Sequence, residues 1–125
     1  MGQYGRVALL ARELYVTGRA HTPREAWVLA AAQIISSMSS REKCCPRDAF
    51  LGLCAAGLVD GIPQGDYTRS EENKRYAIAA AAKLKSSPAL AANKTSLWAR
   101  VAGQKKPNSQ MDVVVALWSS NCLPA

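Results

Sequence analysis

Thr22-Pro23-Arg24-Glu25 fixes where a helix begins. Thr serves as N-cap, Pro takes the first helical position where its missing N–H costs nothing, and Glu three residues on closes a capping box. Trp27, Ala31, Ile34 and Met38 follow at helical spacing and predict its buried stripe. The same grammar recurs along the chain. Val7, Leu10, Ala11 and Leu14 stripe a first helix that Gly18 stops. After a Ser-rich break at Ser36 to Ser40, a third helix starts with Cys45 or Arg41 ahead of Pro46. It points Phe50, Leu53 and Cys54 inward and closes at Gly57 with Leu58 and Val59 behind. A fourth runs from Thr68 or Ser70 to about Lys85 with Tyr76, Ala80 and Leu84 on its core side, and Ser86-Ser87-Pro88 breaks it. A shorter helix carries Asn93, Leu97, Trp98 and Val101, and the last opens at Ser109 with Asp112 three residues on. Val113, Val114 and Val115 admit a strand, but the cap pattern and Ala116-Leu117-Trp118 favour helix.

Roughly one residue in six is alanine, which suits helices over strands. The expected fold is all-α, about six helices in one compact domain spanning 1–125. A chain of 125 residues buries about two-thirds of its unfolded surface, so a core forms without metal or disulfide support. Hydrophobic residues at 49% exclude intrinsic disorder, and no apolar run reaches the ~20 residues of a membrane span. Nothing at the N-terminus reads as a secretory signal, and Arg6 stands where a myristoylation motif wants Ser or Thr. Four cysteines in such a chain are expected to be free thiols in a reducing cytoplasm.

The two halves answer one another. Tyr4, Leu14, Thr22 and Trp27 match Tyr76, Leu84, Asn93 and Trp98 at offsets of 72, 70, 71 and 71, and Asp48, Leu53 and Gly57 match Asp112, Leu117 and Asn121 at 64. Gly and Asn are the residues that best tolerate a left-handed helix end. The correspondence suggests a pseudo-repeat of 1–62 and 68–125, each half a three-helix unit.

The formal charge of +7 has a location. Residues 67 to 106 hold Arg69, Lys74, Arg75, Lys83, Lys85, Lys94, Arg100, Lys105 and Lys106 against only Glu71 and Glu72, and the rest of the chain balances to zero. Such an asymmetry suits an anion-facing surface, because each phosphate neutralised releases counterions. Lys74, Arg75, Lys83, Lys85, Lys105 and Lys106 are the candidate contacts for nucleic acid or another polyanion. The plainer reading is that a charge run on an Ala-rich helix is its solvated face. Tryptophans at core-type positions do not suggest base stacking.

Cys45, next to Pro46 with Lys43 and Arg47 nearby, is a candidate reactive thiol at a helix N-terminus. His21 is the one conventional base, and Asn108, Ser109 and Gln110 are candidate pocket residues beside it. No Cys-x-x-Cys pair exists and one histidine cannot complete a zinc site, so neither metal nor cofactor is expected. Gly57, Gly61 and Gly65 lack the Lys-Ser/Thr of a P-loop and read as turns. Asp48 and Asp112 read as first-turn residues favoured by the helix dipole, and Asp60 and Asp66 as loop residues.

Cys45-Pro46-Arg47-Asp48-Ala49-Phe50-Leu51-Gly52-Leu53-Cys54, Gly57-Leu58-Val59-Asp60-Gly61-Ile62-Pro63 and Asn108-Ser109-Gln110-Met111-Asp112-Val113-Val114 resemble segments of a family of small uncharacterised bacterial proteins. Glu25-Ala26-Trp27 and Asn73-Lys74-Arg75-Tyr76-Ala77 extend the match over most of the chain. The resemblance implies a bacterial cytosolic domain of the sort carried on mobile gene cassettes. It brings no established activity, but it places a shared site at the Cys45 helix, the Gly61 loop and the Asn108 turn if these meet in space.

The expected function is a non-enzymatic binding module for an anionic partner such as nucleic acid. One alternative is a protein-interaction or self-association module presenting apolar residues such as Leu9 or Ile78. The other is a ligand-binding domain or thiol-dependent enzyme centred on Cys45.

Overall fold

Thr22 Oγ1 accepts the backbone N–H of Glu25 at 3.0 Å, and Glu25 Oε1 accepts the N–H of His21 at 2.7 Å, so the capping box reaches one residue further back than the standard pattern. A computed structural model describes residues 2–124 of the chain, and the helix so capped is the second of its elements. The order is α1 (Gln3–Val16), α2 (Pro23–Ile34), α3 (Met38–Arg41), α4 (Cys44–Ala55), α5 (Glu71–Ser86), a 3-10 turn (Pro88–Ala92), α6 (Lys94–Ala102) and α7 (Gln110–Ser119). The fold is all-α: among the described residues there is no strand, and the valine triplet lies in α7. No helix among them is long and apolar enough to cross a membrane.

Three sequence expectations shift locally. The stripe of α2 stops at Ile34, because Ile35 turns extended, and Met38 emerges 62% exposed instead of continuing it. The Ser-rich break is itself helical for one turn, since Ser37 accepts the N–H of Ser40 at 3.4 Å and caps α3. Arg41 then folds back, donating to the carbonyls of Ile35 and Ala32 that the end of α2 leaves unpaired. In α4, Lys43 is the N-cap, ahead of Cys44, so Pro46 falls third in the helix. A proline is tolerated there because the first-turn N–H groups have no intrahelical acceptor.

Helix ends follow one rule in α1, α4 and α7. Gly18, Gly57 and Asn121 take φ of 79°, 75° and 60°. The following N–H reaches back to Leu14, Leu53 and Leu117 respectively, at 2.9, 3.1 and 2.8 Å, giving Schellman closures.

The core is one continuous cluster. α1 packs along α2, α4 along α5, α7 rests on α1, and α4 crosses α7 in the middle. Exchanging α1 with α5 and α4 with α7 maps the α1–α7 contact onto the α4–α5 contact. Two aromatic pairs stiffen the core, Trp27 with Phe50 at 5.4 Å and Trp98 with Tyr76 at 5.1 Å, and they do not correspond under that exchange. α4 is buried along its length from Asp48 to Ala55, and its Gly52 lies directly against the backbone of Lys74 in α5.

Candidate functional site

The first turns of α4, α5 and α7 open onto one basin of about 570 Å³, lined by Lys43, Cys45, Glu72, Asn73, Lys105, Lys106, Pro107, Asn108 and Gln110. Local chemistry brings them there. Gly103 ends α6 with φ 63°, and Trp98 Nε1 donates to the carbonyl of Lys105 at 2.5 Å, which pins the following loop. Ser109 then adopts φ 67° and turns the chain into α7. Its side chain makes no capping bond, so the expected Ser109 cap is replaced by Gln110, whose Oε1 accepts the N–H of Asn108 at 2.6 Å. Gln110 is 3% exposed, and its Nε2 donates to Asn73 Oδ1 at 3.2 Å. Asn73 is itself held by the α5 cap, Ser70. A buried amide pair thus locks the start of α7 to the start of α5.

The basin is electropositive for two reasons. Helix N-termini carry partial positive charge from unpaired N–H groups, and three of them meet here. Lysines supply the rest. Lys105 pairs with Glu72 and sits 5.7 Å from the Tyr76 ring centre, while Lys94 pairs with Asp112 at 2.5 Å on the adjoining face. No carboxylate lies within bridging distance of Lys43 or Lys106 among the described residues. A second hollow of about 650 Å³ shares Lys43, Lys105, Pro107 and Asn108 with the first and extends it to Lys94 and Ser109.

The structure therefore brings Cys45, Asn108, Gln110, Lys105 and Lys106 together, with Ser109 on the adjoining hollow. The remaining cations of the set lie along α5. Lys74 is half-buried with its stem over Gly52, and Arg75 places its guanidinium 5.5 Å from the Tyr76 ring. Lys83 and Lys85 stand exposed in the last turn, where they complement the C-terminal carbonyls, about 16 Å from Lys74 to Lys85 at the helical rise. At about 100° per residue, Lys74 and Lys85 share one edge of α5 and Lys83 takes the other.

His21 is exposed at the start of α2 and does not line the Cys45 basin, so the two are not assembled as a thiol and its base. Of the segments that carry the family resemblance, those of Cys45, Asn73 and Asn108 meet here. The Gly61 loop does not. It is tied to α1 by Arg12, which donates to the Asp60 carbonyl and carboxylate at 2.7 and 2.9 Å. Asp48 lies beyond the first turn of α4, 6% exposed and paired with Arg47. Leu9 and Ile78 are half-buried against the core, and the large apolar residues exposed among the described residues are Val16, Val28, Leu29 and Met38.

A hollow that single-segment reading could not find lies on the other flank of α5's N-terminus. Arg24, Arg47 and Arg69 come from α2, α4 and the approach to α5, and converge beside Thr68 and Ser70. Nothing in the local sequence around any one of them signals the other two.

Burial sorts the thiols. Cys44 is exposed, Cys45 half-buried, and Cys54 and Cys122 buried, with desolvation pushing the Cys54 thiol far above its usual range. Brief alkylation of the native protein should label Cys44 first and Cys45 more slowly, leaving Cys54 and Cys122 unmodified until denaturant is added. Mass mapping of the digest checks this order, and native labelling of Cys54 would contradict it.

A family model described as a family of unknown function, DUF6979, matches residues 1–124. No curated protein and no solved structure matches the chain.

Proposed function

We propose that this chain, which belongs to the DUF6979 family, is a non-enzymatic binding module for an anionic partner, with nucleic acid as the first candidate. One observation carries the reading: the N-termini of α4, α5 and α7 converge with Lys43, Lys105 and Lys106 on a single basin. Fixed N–H dipoles and mobile ammonium groups both favour phosphate. Lys74, Arg75 and Lys85 extend the cationic surface along one side of α5, and Lys83 lies on the other edge, outside that track. Trp98 and Trp27 are buried, so recognition runs through phosphates and is indifferent to sequence. The four free thiols support a reducing, cytoplasmic setting, and the family resemblance a bacterial one.

Fluorescence anisotropy with labelled mixed-sequence duplex and single strands tests the proposal. With about three phosphates neutralised, affinity for duplex should fall roughly 40-fold between 50 and 200 mM salt. Lys43→Glu with Lys106→Glu should abolish binding while leaving the circular dichroism spectrum unchanged. Absence of binding at low salt, or binding indifferent to salt, overturns it.

A second reading rests on Val28, Leu29 and Met38, which are 58%, 40% and 62% exposed at α2 and just beyond it. Isolated apolar side chains are ordinary, but three exposed within eleven residues are the kind of surface that a protein partner would cover. Sedimentation velocity showing concentration-dependent association, lost in Val28→Glu, would favour that reading over the first.

A further inference from the structure

We infer that the hollow between α2, α4 and the start of α5 is a separate site for a phosphate group, free or as a monoester. Its volume of about 540 Å³ is that of a small-molecule pocket, and Arg24, Arg47 and Arg69 line it. Each guanidinium offers five N–H donors, and few are spent. Arg24 Nη2 donates to the Tyr67 carbonyl at 3.2 Å. Arg47 donates through Nε and Nη2 to the two oxygens of Asp48 at 3.2 and 3.3 Å. Arg69 donates to no acceptor among the described residues.

Those few bonds do something specific: they hold Arg24 and Arg47 in place while most of their donors stay unused. Asp48, 6% exposed, has its charge met by the neighbouring Arg47, so it orients a guanidinium and does not cancel the basin. Asp66 on the lining is the one other carboxylate, and three cations outnumber the two. The hollow therefore keeps a net positive charge that an anion would balance. A phosphate suits such a lining, because its several oxygens can accept from more than one guanidinium at once, while a carboxylate is saturated by a single fork. The hydroxyls of Thr68 and Ser70 stand at the same wall as further donors.

The test uses the intact chain and inorganic phosphate at constant ionic strength, with chloride as the exchanged ion. The melting temperature should rise progressively with phosphate, and side-chain Nε–H resonances of Arg24, Arg47 and Arg69 should move together and saturate in NMR titration. Arg69→Gln, which removes no hydrogen bond or ion pair among the described residues, should weaken phosphate binding at least tenfold with an unchanged melting temperature in chloride. Lys106→Glu should leave phosphate binding intact, which separates this site from the polyanion basin. Glycerol 3-phosphate is the second arm: tighter binding than inorganic phosphate assigns a monoester, and weaker binding assigns the free ion. Nε–H shifts that do not saturate, an Arg69→Gln response equal to that of the native protein, or displacement of phosphate by duplex at the concentration that fills the polyanion basin would overturn the inference.

Discussion

Phe50→Ala should lower the stability of the protein by about 3–5 kcal/mol, which lowers the melting temperature by roughly 10–20 °C for a chain of this size. Phe50 is 0% exposed and its ring lies 5.4 Å from that of Trp27. α2 and α4 approach one another closely at few points along their backbones, so the two rings span the space between them. Truncation leaves a cavity that rigid helices on both sides cannot close. Trp27 Nε1 is buried without a hydrogen-bond partner, so packing alone holds that indole, and water admitted by the cavity would recover a small part of the loss. Phe50→Leu, which keeps most of the volume, should cost only about 1–2 kcal/mol. Urea unfolding of both variants measures the difference, and equal losses would show that the contact is not one of shape.

Gly52→Val should be nearly as damaging, at about 3 kcal/mol or more, although a glycine inside a helix is usually the weaker choice. A Cβ at Gly52 would stand 2.6 Å from the Cα of Lys74. That atom belongs to the backbone of α5 and cannot rotate aside. Even Gly52→Ala, which ordinarily gains about 1 kcal/mol in a helix interior, should destabilise here. The displacement would not stop at stability. α5 carries Asn73 one residue before Lys74, and Asn73 accepts from Gln110 across the basin. Amide hydrogen exchange should therefore speed up at the start of α7 as well as at the α4–α5 crossing. Protection unchanged at α7 would mean that the basin tolerates movement of α5.

The helices were readable because their signals are local. Thr22, Ser70 and Asn93 accept from the N–H three residues on, and Gly57 closes α4, all through atoms within one turn. The extension of α2 to Met38 failed for the complementary reason. Periodicity continues through Ile35, but the backbone departs there, and the compensation comes from Arg41 beyond the break. At the site, Lys105 and Lys106 were legible as cations suited to an anion, Cys45 as a candidate thiol and Asn108 and Gln110 as candidate pocket residues, but not their company. Glu72 on Lys105 and Asn73 on Gln110 are contacts 33 and 37 residues apart, fixed only once α5 and α7 are docked. The arginine hollow is the extreme case, since each of its three cations has an ordinary local explanation. Charge counting located the excess in 67–106 and missed Lys43, Arg24 and Arg47, which fold alongside it from the balanced part of the chain.

The packing of α7 on α1 has a consequence during synthesis. The first helix is complete about a hundred residues before the last one emerges, a delay of about 5–20 s at ordinary translation rates. Over that interval one side of α1 is covered by α2, its immediate successor, while the side destined for α7 stays open. The buried face of α1, which carries Tyr4, Val7 and Leu14, is thus only partly covered until α7 arrives. Final closure joins the first and last of the described helices.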